Sequence, residues 1–236
     1  MARVRARRLG IWLIGGLAAL VVLVVGGTWV YIHVIEGPAP APLSLKPASA
    51  SSAAGTGTTT SKAVTGSWRV AAGSVVGYRV DEVLAGQQNV AVGRTSDIAG
   101  SMTIRGDAVT AASFTVQMAT IKSDESERDV QFNGRIMQTA SYPTGTLTLT
   151  APVELGTLPS DGEIRTYHAA ADLTLHGHTR RVTFAVQAER TSAGIEVSGS
   201  IPVLFSDFGI GNPSFPPFVT TQNHGVLEFL IKFSQS

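Results

Sequence analysis

The 236-residue chain has no cysteine, which excludes disulfides, thiolate metal sites, a thiol nucleophile and a lipidated N-terminal cysteine. Its formal charge of +1 hides an asymmetry. Arg3, Arg5, Arg7 and Arg8 crowd the N-terminus, whereas the stretch from Gly66 to Ser236 holds 12 Lys and Arg against 16 Asp and Glu. This larger part is mildly acidic without a basic stripe, which argues against nucleic acid or an anionic membrane surface as its partner.

Residues 1–8 form a basic tail. From Leu9 to Ile35, 27 residues pass without Asp, Glu, Lys or Arg, and an apolar helix of roughly 20 residues suffices to cross a bilayer core. Trp12, Trp29 and Tyr31 lie near the ends of the run, where amphipathic rings favour the interface. The preceding arginines place the N-terminus in the cytoplasm and the rest of the chain outside. The alternative, a cleaved signal peptide, would carry an apolar stretch of about 7–15 residues and a small-residue cleavage site. This run is longer and ends in bulky "WVYIHVI". Residues 9–35 are therefore expected to be a single-pass transmembrane anchor in the cell membrane, with an extracytoplasmic C-terminal domain.

Residues 36–65, "EGPAPAPLSLKPASASSAAGTGTTTSKAVT", have four Pro, three charges and no aromatic residue. Such a composition buries too little apolar surface to offset chain entropy, so it predicts a disordered linker. As flexible coil it would reach on the order of 30 Å.

Residues 66–236 alternate with period two. "SFTVQMAT" sets Phe114, Val116 and Met118 on one face, "GTLTLTAPVEL" sets Leu147 and Leu149, and "RRVTFAVQAE" sets Val182, Phe184 and Val186. "GVLEFLIKF" separates Leu227, Phe229, Ile231 and Phe233 from Glu228 and Lys232. The pattern predicts strands with one face toward a core. Turn formers recur at short spacing, at Gly100, Gly106-Asp107, Asp161-Gly162, Gly177 and Gly194. The fold class is therefore all-β, an antiparallel sandwich or barrel. One segment, Ser123 to Pro143, breaks the period. Asp124 and Glu127 have capping-box spacing, Val130 and Met137 are a heptad apart, Asn133-Gly134 interrupts or ends the helix, and it stops before Tyr142-Pro143. One short helix is expected there.

The stretch "ADLTLHGHTRRVTF" packs His176, His178, Arg180 and Arg181 into six positions. Alternation on both sides predicts a solvent-exposed hairpin turn at His176-Gly177-His178-Thr179, with glycine supplying positive φ. Two histidines can also begin a metal site, but a structural site needs four ligands and a catalytic one about three. The arginine pair could instead meet an anionic head group at a barrel mouth. Asp124, Glu125, Glu127 and Asp129 suit the start of a helix better than an acid/base pair. There is no G-x-S-x-G and no phosphate loop. Four of the nine phenylalanines crowd into "FSDFGIGNPSFPPF", as Phe205, Phe208, Phe215 and Phe218. This segment either plugs one end of a barrel or walls an apolar cavity.

Taken together, "GSVVGYRVDEVLAG", "VGRTSDIAGSMTI", "SDESERDVQF", "TASYPTGTLTLT", "AADLTLHGHTRRVTFAV" and "SDFGI" resemble the YceI-like lipid-binding family, in a version similar to its membrane-anchored branch. The resemblance implies an eight-stranded antiparallel, lipocalin-like barrel around an apolar tunnel that holds polyisoprenoids or other amphiphiles. It implies no catalytic residue and no cofactor. Two positions depart from the common pattern. Phe205 stands where many relatives have a basic residue, and Asp81-Glu82 where many have histidine.

The expected function is that of a membrane-tethered binding or carrier protein for an isoprenoid-like lipid, not an enzyme. Lumen candidates are Tyr78, Phe114, Val116, Met118, Leu149, Leu173, Phe184, Phe208 and Phe215, and head-group candidates are Arg180 and Arg181. The alternatives are an envelope interaction module with a filled barrel and a metal or stress protein using His176 and His178.

Overall fold

The computed structural model describes residues 22, 26, 27, 39–46, 64–84, 86–157 and 159–236. The anchor expected over residues 9–35 lies outside the described residues, apart from Val22, Gly26 and Gly27, which are helical. Among the described residues no helix is long and apolar enough to cross a membrane.

The alternating segments form twelve strands of one antiparallel sheet. In chain order they are β1 (Gly66–Val70), β2 (Val75–Leu84), β3 (Gln87–Thr95), β4 (Ile98–Arg105), β5 (Ala108–Gln117), β6 (Thr144–Leu149), β7 (Val153–Glu154), β8 (Arg165–Leu175), β9 (His178–Thr191), β10 (Gly194–Leu204), β11 (Val219–Thr221) and β12 (His224–Gln235). β1 continues into β2, β3 into β4 and β6 into β7, so the strands make eight long staves, with β11 a short extra strand beside β2. The last stave closes the barrel on the first: Phe233 pairs with Val70, and Leu227 pairs with Tyr78. Where the first stave breaks between β1 and β2, the buried Ser74 hydroxyl takes over a ladder role. It donates to Ala71 O (2.8 Å) and accepts from Lys232 N (3.0 Å).

Strand direction sorts the connections into two ends. One end, here the helix end, has the β2–β3 turn, the β5–β6 crossing, the β8–β9 hairpin and the β10–β12 loop. The other, the terminal end, receives Val64 and releases Ser236. The β5–β6 crossing holds helix α1 (Ser126–Gln131), which widens into a π turn at Phe132–Ile136. The capping box does not form. Glu125 is the N-cap and makes no side-chain cap bond. Asp124 binds Arg128 instead, and Asp129 Oδ1 receives the Ser123 amide (2.8 Å) and hydroxyl (2.9 Å). The π turn also takes Met137 off the face of Val130, leaving Met137 buried and Val130 exposed.

Gly100 is not a turn. It lies within β4 opposite Phe114, where a Cβ would approach the ring to 2.5 Å. Part of the expected linker is also seated. Residues 39–46 lie against the outer wall without regular secondary structure, with Leu43 N–H donating to Glu228 Oε2 and Leu45 N–H to Ser198 Oγ, both at 3.3 Å. Residues 36–38 and 47–63 lie outside the described residues.

Candidate functional site: an apolar lumen

The inward faces of the staves enclose a cavity of about 350 Å³ with an almost wholly apolar surface. The register places Phe114, Leu147 and Leu173 side by side across β5, β6 and β8. Rings brace the wall: Phe184 meets Phe229 edge-on at 6.0 Å, and Phe114 lies 5.9 Å from Phe233. Glycines face several of these rings. A Cβ at Gly93 would come within 2.4 Å of Tyr78, and one at Gly199 within 2.6 Å of Phe229. Interior space thus comes from pairing large residues with the smallest. At about 24 cal/mol per Å³, a packing fault of this volume would cost on the order of 8 kcal/mol. That is comparable to the whole stability of a typical domain, about 5–15 kcal/mol. The lumen is therefore a feature of the fold and not a defect, and the side chains do not fill it.

At the helix end a few polar side chains join the lining. Arg128 reaches from α1 to Glu82 Oε1 (3.3 Å) on β2 and also binds Asp124. Asn89 donates to the same Glu82 oxygen at 2.9 Å. Burial pulls the Arg128 guanidinium down, but the carboxylates of Glu82 and Asp124 outweigh it and the net shift is upward. Beneath it Tyr78 stacks on Phe132, with centroids 5.1 Å apart and planes 12° from parallel. Burial pushes the Tyr78 hydroxyl up to about 12, against a smaller opposing pull from Arg128, so it stays neutral at ordinary pH. Arg128, Ile136, Ile210, Pro213 and Thr221 border the cavity here, between the α1 segment and the β10–β12 loop. Arg135 ties the two by donating to Pro213 O at 2.9 Å.

The β8–β9 hairpin closes the rest of this end. Its two turn residues, His176 (φ +47°) and Gly177 (φ +76°), have the positive φ values of a tight hairpin. His176 is only 8% exposed, unlike the solvated turn residue that the local pattern suggests. Its ring lies 4.3 Å from that of Tyr142, and its Nδ1 is 3.3 Å from Phe208 O. Gly177 permits this docking, because a Cβ there would lie 2.7 Å from the Tyr142 ring. Among the described residues no three His, Asp or Glu side chains gather as a metal site.

At the terminal end Tyr167, Ala188, Arg190 and Ile195 line the cavity. Arg190 Nε is 2.6 Å from Asp161 Oδ1. Among the described residues the buried Tyr167 hydroxyl has no hydrogen-bond partner, and burial raises its pKa.

Seven of the nine lumen candidates, Tyr78, Phe114, Val116, Met118, Leu149, Leu173 and Phe184, line the cavity. Phe208 does not; it is 2% exposed in the 3₁₀ turn Phe205–Phe208, packed into the plug of the helix end. Phe215 is 63% exposed on the β10–β12 loop, stacked near Phe218. Arg180 and Arg181 are also outside the lining. Arg180 donates to Thr179 O, and Arg181 pairs on the outer surface with Asp172 at 3.2 Å. The groups that do border the lumen ends, Glu82, Arg128 and Tyr167, were not among the candidates. Tyr167 was within reach of sequence reasoning: counting back by twos from Leu173 through Ala171 and Ala169 lands on it.

A family model for the YceI-like domain matches residues 68–233. Among solved structures, the fold is similar to a polyisoprenoid binding domain from Saccharophagus degradans implicated in plant cell wall breakdown. That likeness has 15% identity and a TM-score of 0.59, and covers 73% of this chain and 99% of that one. The fold is also similar to Burkholderia cenocepacia BcnA, at 18% identity and a TM-score of 0.55, covering 69% of this chain and 98% of that one. No curated protein matches the chain. A match over more than half of the chain, on a closed barrel with an apolar lumen, places it in a family: the chain belongs to the YceI-like domain family.

Proposed function

We infer that the protein is an extracytoplasmic, membrane-tethered binding or carrier protein for a polyisoprenoid or similar amphiphilic lipid, held in the barrel lumen. The observation that carries this reading is the apolar cavity of about 350 Å³, a size at which ligand sites are found. The polyisoprenoid binding of the Saccharophagus degradans domain supports it. The tether and the location rest on the uncharged run from Leu9 to Ile35 behind four arginines.

Charge around the lumen favours an uncharged head group. Among the described residues the cations that border the cavity are Arg128 and Arg190, and each is already held by a carboxylate. A diphosphate would enter without a free countercharge, at a steep desolvation cost. A hydroxyl or carbonyl head needs only a hydrogen bond, which the Tyr167 hydroxyl can supply.

Native mass spectrometry of the full chain purified from its own membranes tests the reading, with solvent extraction of whatever it carries. A hydrocarbon-tailed molecule at one per chain is the expected result. A chain that comes off bare and takes up no polyprenol refutes the carrier. Tighter binding of a polyprenyl diphosphate than of the polyprenol of equal length refutes the head-group reading alone.

A further inference from the structure

The outer wall has a second hollow, and the chain's own Pro42 and Leu43 form one side of it. Tyr78 and Leu227 face the lumen, so alternation puts Arg79 and Glu228 on the outside of β2 and β12. A carboxylate on an outer strand face ordinarily meets water, and glutamate is almost never buried unless paired. Glu228 is nevertheless 3% exposed, and residues 39–46 lie across it. Arg94 donates to Glu228 Oε1 through Nε (3.0 Å) and Nη2 (2.7 Å), and Arg79 Nε lies 3.5 Å from Oε2. The Nη2 groups of Arg79 and Arg94 also donate to the carbonyls of Pro40 and Ala41. In the other direction, Glu228 Oε2 accepts Leu43 N–H and Ser198 Oγ accepts Leu45 N–H.

The segment "PAPLSL" (residues 40–45) suits this notch. Pro40 and Pro42 have no N–H to strand and hold the chain extended. Leu43 and Leu45 present donors at alternate positions, and the Leu45 side chain is buried. The contacts are made to the backbone of the segment, through polar side chains of the wall and not through a groove of aromatic rings.

We propose that Arg79, Arg94, Ser198 and Glu228 form a binding site for an extended, proline-containing segment, occupied in cis by residues 39–46, and that this clamp sets how far the barrel stands from the membrane. The second half rests on the anchor proposed above. With the clamp shut, the chain from Ile35 to Ala39 spans at most about 14 Å, against roughly 30 Å for a free 30-residue tether. The wall made by β2, β12 and β10, and not either end of the barrel, is then held nearest the bilayer.

Hydrogen exchange on the full chain tests the clamp. Peptides covering residues 39–46 should exchange at least roughly tenfold slower than a free peptide. Leu45→Asp should abolish that protection while the β12 peptides keep theirs, since Leu45 lies outside the barrel. Glu228→Gln should do the same from the barrel side. Free exchange in the wild-type segment, or protection that survives Leu45→Asp, overturns the proposal. Protection that fades on dilution assigns the notch to a second copy and overturns the cis clamp.

The spacing role has its own readout. The chain lacks cysteine, so Ser236→Cys gives a single dye site, read by energy transfer to acceptor lipids in phosphatidylcholine vesicles. Leu45→Asp should change the transfer by roughly twofold as the tether lengthens; unchanged transfer overturns the spacing role. A chain that does not float with the vesicles overturns the anchor and the spacing, while exchange still decides the clamp.

Discussion

The barrel has two hollows that the chain treats in opposite ways. The lumen is lined by carbon and left open by its side chains, with ion pairs such as Glu82–Arg128 kept to its ends. The groove on the outer wall is polar, centred on Glu228, and covered by residues 39–46. The difference follows from what each surface needs. Unpaired buried polar groups are costly, so a polar hollow needs nearly all of its groups matched; among the described residues Arg79 Nε is the buried side-chain atom of this groove without a hydrogen bond, and it keeps an ion pair with Glu228 at 3.5 Å. An apolar hollow carries no such demand and remains available to any hydrocarbon of suitable shape.

Exchanging the chemistry of the two hollows should break both, the lumen more severely. Leu173→Asp puts an unmatched carboxylate among apolar neighbours. It should cost about 3–5 kcal/mol in chemical denaturation and abolish uptake of an apolar probe. Glu228→Leu removes the shared partner of Arg79 and Arg94. It should cost about 2–3 kcal/mol, below the usual range for a broken buried pair because both arginines retain some solvent contact. Probe uptake should change little, because the Glu228 carboxylate is turned to Arg79, Arg94 and Leu43 on the outer wall although the residue also borders the cavity.

Alkaline pH sharpens the contrast without a loss of packing. The folded-state pKa of Tyr78 lies near 12, above its ordinary value of 10.0. The unfolded chain therefore releases this proton first. The contribution is fully present below pH 10 and is lost as pH rises toward 12, by on the order of 2 kcal/mol. Denaturation between pH 9 and 11.5 should show that decline, and Tyr78→Phe should flatten it. The smallest effect belongs to the open surface. Arg181→Ala removes an exposed pair with Asp172 and should change stability by less than about 1 kcal/mol.

Much of the lumen was legible in the sequence, because in a barrel the period of two sorts inside from outside directly. Phe114, Val116, Leu149, Leu173 and Phe184 follow from alternation alone. What was not legible depended on partners distant in the chain. Residues 39–46 read as tether because Ser198 and Glu228, which hold them, lie more than 150 positions away. His176 reads as a solvated turn because Tyr142 and Phe208, which bury it, come from other loops. Phe208 and Phe215 share one aromatic-rich segment, yet one is sealed in a plug and the other lies in solvent. No local period separates them. Arg128 was hidden for a different reason: an acidic, hydrophilic helix start looks like a solvated end until the fold lays it over the lumen beside Glu82.

The central claim is that the lumen shelters a hydrocarbon chain. The most direct test is the equilibrium affinity of the full-length protein for polyprenols of increasing length. At about 0.8 kcal/mol per buried methylene-sized group, each five-carbon unit contributes up to about 4 kcal/mol. Affinity should therefore climb at least roughly tenfold per unit until the lumen is full, and then level off. Affinity that is flat across the series, or absent at every length, would contradict the account.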